Sequence, residues 1–141
     1  ELVANQSADF DPTKAHAIAA TLLKQHEDLC GFYGIWDGQD VGTAAAIKEA
    51  GKTGKVMLAS SGGGRLAAAC DNLANDNFSA YLSYDGRGQG RDLANVVKML
   101  LQDPAPPASR PFGLYSPVTV LTKDNMDGAC WTIEDIKANG P

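Results

Sequence analysis

A chain of 141 residues, 44% hydrophobic and 21% charged, is long enough for one domain with a real core. Its net charge of −5 and pI near 4.8, without any Lys/Arg cluster, exclude the basic footprint that a duplex nucleic-acid binder needs. The expected partner is a small molecule or another protein, not nucleic acid, and no apolar run approaches the roughly 20 residues that cross a bilayer.

In chain order, Leu2 to Asn5 reads as a short strand already under way, which points to an upstream region. Asp11-Pro12 is an N-cap followed by proline at the first helical position. The helix it opens carries Ala15, Ile18, Ala19, Leu22 and Leu23 at the spacing of one buried stripe. Leu29 to Trp36 reads as a buried strand ending at Asp37-Gly38. A second helix follows, with Val41, Ala44, Ala45 and Ile47 as a small-residue face for close packing on the sheet and Gly51 as its left-handed cap.

Val56 to Ala59 is the next strand. The glycine loop Ser60-Ser61-Gly62-Gly63-Gly64-Arg65 leads from it into a helix whose face is Leu66, Ala69, Cys70 and Leu73. Phe78 to Tyr84 reads as a fourth strand. Leu93, Val96, Val97, Leu100 and Leu101 then mark the best amphipathic helix, closed by Asp103-Pro104. Ala105 to Pro111 is a proline-rich linker expected to run extended, and Leu114 to Leu121, broken by Pro117, is an edge or hinge strand. Strands separated by helices require crossover connections. The fold class expected is therefore α/β, a mostly parallel sheet with helices on both faces.

Cys30, Cys70 and Cys130 are odd in number and lack the two-residue spacing of a metal knuckle or redox pair. Buried structural thiols are the favoured reading, with one disulfide as the alternative. No metal or cofactor is expected.

Three loops after strands, Trp36-Asp37-Gly38, Ser60 to Arg65, and Tyr84-Asp85-Gly86, should gather at the carboxyl edge of the sheet, where open α/β folds bind ligands. Trp36 beside Asp37 offers a stacking face and a carboxylate, the combination that suits a polyhydroxylated ring or a cationic head group. Tyr84-Asp85 repeats it. In both loops the alternative is an aromatic at a strand end and a helix-capping aspartate. Amide groups of Gly62 to Gly64 could meet an anion or serve only as a turn; the stretch matches neither the dinucleotide nor the phosphate-loop fingerprint. His16 and His26 read as solvated helix histidines, so no nucleophile and base converge and no enzyme is expected.

The stretches Ala8-Asp9-Phe10-Asp11-Pro12-Thr13-Lys14-Ala15, Leu22 to Gly31 and Ile47-Lys48-Glu49-Ala50-Gly51-Lys52 resemble the periplasmic sugar-binding proteins related to ribose-binding protein. Lactose-repressor-type ligand domains share the pattern. The likeness runs from about Val3 to Leu121 and corresponds to the carboxyl-terminal portion. It implies two Rossmann-like α/β lobes joined by hinge crossings, an incomplete lobe over 1–112 with a crossing near Tyr84, and a returning hinge strand and tail over 113–141. An opposing lobe, or another copy of the chain, would complete it.

The same resemblance implies a periplasmic solute-binding component of an ABC uptake transporter, with membrane subunits as partners. A regulator of the lactose-repressor kind is the alternative, and a small enzyme acting on a phosphorylated substrate is the weaker one. Ligand-binding positions carried over or inferred are Trp36, Asp37, Ser61, Gly62, Tyr84 and Asp85. Relatives usually have Asn-Asp where Trp36-Asp37 stands, aspartate and glycine where Gly62-Gly63 stands, and, in ribose-type proteins, glutamine where Tyr84 stands. Those departures favour a ligand with a flatter or more apolar face than ribose.

Overall fold

The computed structural model describes residues 1–103 and 113–139. Its elements in order are α1 (Pro12–Gln25), β1 (Gly31–Tyr33), α2 (Asp37–Glu49), β2 (Met57–Gly62), α3 (Cys70–Ala74), β3 (Ala80–Ser83), α4 (Gly86–Gln102), β4 (Thr119–Leu121) and α5 (Ile133–Asn139). The strands form one sheet in the order β1-β2-β3-β4. β1, β2 and β3 are parallel, and β4 joins β3 antiparallel. This is the mostly parallel α/β sheet with helices that the strand-helix alternation predicts.

α1 starts as its sequence dictates. The Asp11 carboxylate accepts from the amides of Thr13 and Lys14, and Pro12 needs no such partner. Ala15, Ala19, Leu22 and Leu23 bury the stripe, mainly against α2. Contact is close because Gly42 of α2 has no side chain: a Cβ there would meet the Pro12 carbonyl oxygen. The core joins Ala19 and Leu23 of α1 to Ala44 and Ile47 of α2, Leu58 of β2, Leu73 of α3, and Phe78 and Tyr81 near and on β3. Gly51 holds φ +66° after α2, the left-handed turn expected of it.

Several local expectations differ. Leu2 to Asn5 forms no strand, and Leu2 is 80% exposed. The expected buried strand over Leu29 to Trp36 shrinks to three paired residues. β1 is an edge strand with a neighbour on one side only, and Tyr33 and Ile35 are exposed. In α2, Val41 and Ala45 are exposed while Asp40 and Thr43 are buried, because the inner face of this helix is partly polar. Its small residues serve contact with α1 as well as with β2 of the sheet. The glycine stretch also differs: β2 continues through Gly62, and turns over 65–69 separate Gly64 from a five-residue α3.

The cysteines overturn the favoured reading. Cys70 and Cys130, 60 residues apart, form a disulfide, and Cys30 is an exposed thiol rather than a buried one. Folding lays the 126–132 segment over α3, a proximity that linear spacing does not encode. The tail over 113–141 contains a helix, α5, that opens on Thr132 and Asp135: the Asp135 carboxylate accepts from the Thr132 amide and hydroxyl, and the Thr132 hydroxyl accepts from the Asp135 amide. Those bonds hold the Asp135 carboxyl below its ordinary range. β4 sits at the sheet edge after Pro117, as expected. The proline-rich stretch 105–111 and the proposed boundary at 112 lie outside the described residues.

Candidate functional site

Because β1, β2 and β3 run parallel, their carboxyl ends share one edge, and hydrogen bonds tie the three loops together there. The Ser61 hydroxyl donates to the Ile35 carbonyl at 2.7 Å, joining the second loop to the first. Amides of Tyr84 and Gly86 donate to the carbonyls of Gly62 and Gly63 at 3.1 and 3.0 Å, joining the third to the second.

Beneath them lies a buried bond that sequence reading missed. The Tyr81 hydroxyl donates to Asp37 Oδ2 at 2.6 Å and accepts from the Gly64 amide at 3.2 Å. Tyr81 is fully buried, and burial, then its bond to the Asp37 carboxylate, pushes its phenol well above the ordinary range. It is therefore a neutral donor at any pH the protein meets. Gly62 passes over this bond: a Cβ built there would meet both the Tyr81 hydroxyl and the Asp37 carboxylate. Its bareness thus serves the Tyr81–Asp37 pair directly.

A second buried pair stands behind the first. Asp40 Oδ2 accepts from the Ser60 hydroxyl at 2.5 Å, both residues being fully buried. Desolvation raises the Asp40 carboxyl above its ordinary value; the Ser60 bond opposes this, and the nearby Asp37 charge adds to it.

The six residues expected at the site share this edge in different ways. Trp36 is 39% exposed; its ring lies across Gly38 and meets Phe10 edge-to-face at 5.8 Å between centroids. Phe10 was not anticipated. It stands in a turn where Asp9 and Phe10 both take left-handed backbone, φ 52° and 57°. Asp37 is buried at the first turn of α2, with one oxygen committed to Tyr81. Ser61 and Gly62 end β2. Tyr84 is 36% exposed beside Gly63. Asp85, at φ 46°, uses its carboxylate to cap α4 by accepting from the Gly88 amide.

The glycine amides do not form an anion cradle at a helix start. Gly64 donates to Tyr81, and the helix that would supply a dipole begins six residues later. His16 lies away from this edge, bonding Glu49 across α1 and α2 at 2.9 Å, while His26 caps the far end of α1. Among the described residues no group of three His, Cys, Asp or Glu could hold a metal ion. A small cavity of about 70 Å³ lies elsewhere, lined by Ile47, Thr53 and Asn77. It is far below the few hundred Å³ that a small-molecule site occupies.

Comparison with known proteins bears on an edge of this kind. Residues 1–105 match the periplasmic binding protein domain. The chain belongs to that family. Over 63 residues it is 38% identical to the D-allose-binding periplasmic protein of Escherichia coli K12, a stretch that covers 45% of this chain and 20% of that protein. Solved structures share the fold at lower identity. A solute-binding protein of an ABC transporter from Actinobacillus succinogenes with bound D-allose superposes with a TM-score of 0.75 at 18% identity, over 91% of this chain and 43% of its own. One from Agrobacterium vitis with bound D-fucose gives 0.72 at 20% identity, over 90% and 42%. The arabinose-binding protein AraP from Geobacillus stearothermophilus gives 0.72 at 22%, over 92% and 45%.

The chain thus spans less than half the length of these relatives. They are named as solute-binding proteins rather than enzymes. Membership of a periplasmic binding protein family implies an extracytoplasmic setting, where a disulfide such as Cys70–Cys130 persists.

Proposed function

We propose that this chain is the sugar-binding lobe of a periplasmic solute-binding protein that serves an ABC uptake transporter. The observation that carries the reading is the convergence of three loops at one sheet edge, with the half-exposed rings of Trp36 and Tyr84 above a floor of Ser61 and Gly62. Aromatic faces beside polar groups suit the alternating apolar and hydroxylated faces of a sugar ring. The names of the relatives favour a transport role over a lactose-repressor-like regulator.

In this reading Trp36 and Tyr84 stack on the ligand, and Asp37 offers its second oxygen to a hydroxyl. Ser61 and Gly62 line the base, and Asp85 fixes the hinge end of α4. An opposing lobe, from polypeptide outside these residues or from another copy, covers the other face of the ligand. Closure follows because the ligand makes contacts with both lobes that the open state lacks. The closed form then docks on the transporter's membrane subunits.

The test is calorimetric titration of the protein at its natural length against aldohexoses, ketohexoses, pentoses, polyols and amines. Binding of at least one sugar, weakened tenfold or more in Trp36→Ala, is the expected result. No sugar binding, or undiminished binding in Trp36→Ala, would overturn the reading.

A further inference from the structure

The carboxyl-terminal segment reaches the ligand edge, and the sequence reading gave it no role there. The Trp131 indole Nε1–H donates to the Gly63 carbonyl at 2.8 Å. That oxygen also accepts from the Gly86 amide, at 3.0 Å, where α4 begins. One carbonyl therefore joins the glycine loop, the start of α4 and the tail. Backbone bonds reinforce the junction: the Trp131 amide donates to Gly64 and the Leu66 amide donates to Trp131, at 3.1 and 2.8 Å. Arg65 and Trp131 thus pair as a parallel bridge.

Two observations show that this junction is anchored from outside the loop. Cys130, the residue before Trp131, is covalently bound to Cys70 of α3. On the other side, Thr132 and Asp135 close a reciprocal cap that starts α5. Trp131 is held between a covalent bond and a helix cap, so its indole has little freedom to leave Gly63. Gly64, at φ +77°, needs such support because its left-handed backbone leaves the loop no regular secondary structure to lean on.

We propose that Trp131 is a positioning residue for the ligand site, and that the Cys70–Cys130 disulfide acts through it. It sets the direction of the Gly63 peptide and, through the shared carbonyl, the angle at which the chain passes Tyr84 and enters α4. The inference rests on the sugar-site reading, and only for its effect on affinity. Its effect on the loop itself is independent of any ligand.

The experiment uses the protein at its natural length. Trp131→Phe retains an aromatic ring and deletes the N–H donor; Thr132→Ala loosens the α5 cap and leaves the indole bond; Cys70→Ser/Cys130→Ser removes the tether. Amide hydrogen exchange at Gly64 and Gly86 in the free protein should speed on the order of fivefold in Trp131→Phe, the factor expected for loss of one hydrogen bond, and by a smaller factor in Thr132→Ala, which loosens one anchor and keeps the indole donor. Affinity for the best-bound sugar of the panel should fall in the same order, most in Trp131→Phe.

Adding Trp131→Phe to the double serine variant should change exchange less than it does in the native background, since coupled residues are not additive. Unchanged exchange at both glycines in Trp131→Phe overturns the proposal whether or not the protein binds sugar. Altered exchange with unaltered affinity also overturns the site role. Full additivity overturns the claim that the disulfide acts through Trp131. If the double variant does not fold, mild reduction of the folded native protein supplies the same comparison. Absence of sugar binding in the native protein counts against the proposed function and leaves the exchange test of Trp131 intact.

Discussion

α1 and α4 carry the same message in sequence and have opposite fates. Each places aliphatic side chains at helical spacing on one face, and each opens on an aspartate. α1 buries Ala15, Ala19, Leu22 and Leu23 against its neighbours. α4 leaves Leu93, Val97, Met99 and Leu100 half exposed and Leu101 81% exposed; only Gly88 is buried along its length. An amphipathic stripe therefore predicts a partner without saying whether the partner lies in the same stretch of chain. A bare apolar face of about two and a half turns, from Leu93 to Leu101, is what a helix shows when its counterpart belongs to another body, which fits the opposing lobe of the proposed function.

The sharpest way to break the contrast is Leu23→Ala. Leu23 is 5% exposed and belongs to the core, so truncation should cost roughly 3 kcal/mol, from lost transfer energy plus the cavity left behind. Denaturant melts of the native and variant proteins read this directly. A cost under about 1 kcal/mol would mean that α1 is held no better than α4, and the comparison would collapse.

A second cost falls at the carboxyl edge of the sheet. Tyr81→Phe keeps the ring, stacked on Phe78 at 6.3 Å, and deletes the hydroxyl that serves Asp37 and Gly64. A buried carboxylate oxygen loses its donor and an amide its acceptor, so about 2 kcal/mol should go. The same melts measure it; a change within about 0.5 kcal/mol would show that water replaces the phenol without loss.

The two N-caps extend the comparison at smaller cost. Asp85→Ala removes the bond to the Gly88 amide and leaves alanine in left-handed backbone, a loss of about 1 kcal/mol. Since α4 has few contacts with the rest, the expected reading is faster exchange in its first turn with little change in global melting. Asp11 behaves differently because α1 is packed. Its carboxyl lies below the ordinary value of 3.8 because the Lys14 and Thr13 amides donate to it. The folded state thus favours the charged form, and the contribution is present above the ordinary value and lost as pH falls through the lowered one. Acid titration of stability from about pH 5 downward should show a global decline that Asp11→Asn flattens. Equal profiles for the two proteins would remove Asp11 from the account.

Local chemistry explains which parts were legible beforehand. The N-cap at Asp11-Pro12, the α1 stripe, Gly51, and the turns after β1 and β3 each follow from a few neighbouring residues and stand where expected, whereas the glycine loop starts later because β2 runs through Gly62. What was missed depends on contacts across long separations. Asp37 and Tyr81 are 44 residues apart, Gly63 and Trp131 are 68, and the two bonded cysteines are 60. No periodicity marks such pairs. Other omissions were readable in principle: Thr132 and Asp135 have the spacing of a capping box, which would have revealed α5. The aromatic-aspartate-glycine pattern at 36–38 and at 84–86 does not by itself distinguish its two aspartates. One aspartate enters a helix and meets Tyr81; the other caps a helix in left-handed backbone, because Tyr81 lies under the first loop only.

The smallest expected effect tests the contrast most directly. Leu101→Ser lies in the last turn of α4 on an open face. Applied to residues 1–141 alone, it should change stability by less than about 0.5 kcal/mol, since no buried contact is lost. Applied at natural length, it should cost more, on the order of 1–3 kcal/mol, if an opposing lobe covers the stripe. The difference between those two measurements, rather than either one, isolates the missing contact: solvent exposure and helix propensity are common to both and cancel. Equal and negligible values would make the α4 stripe a surface feature. Equal and large values would place its partner within the chain itself, and α4 would then differ from α1 only in where it folds back.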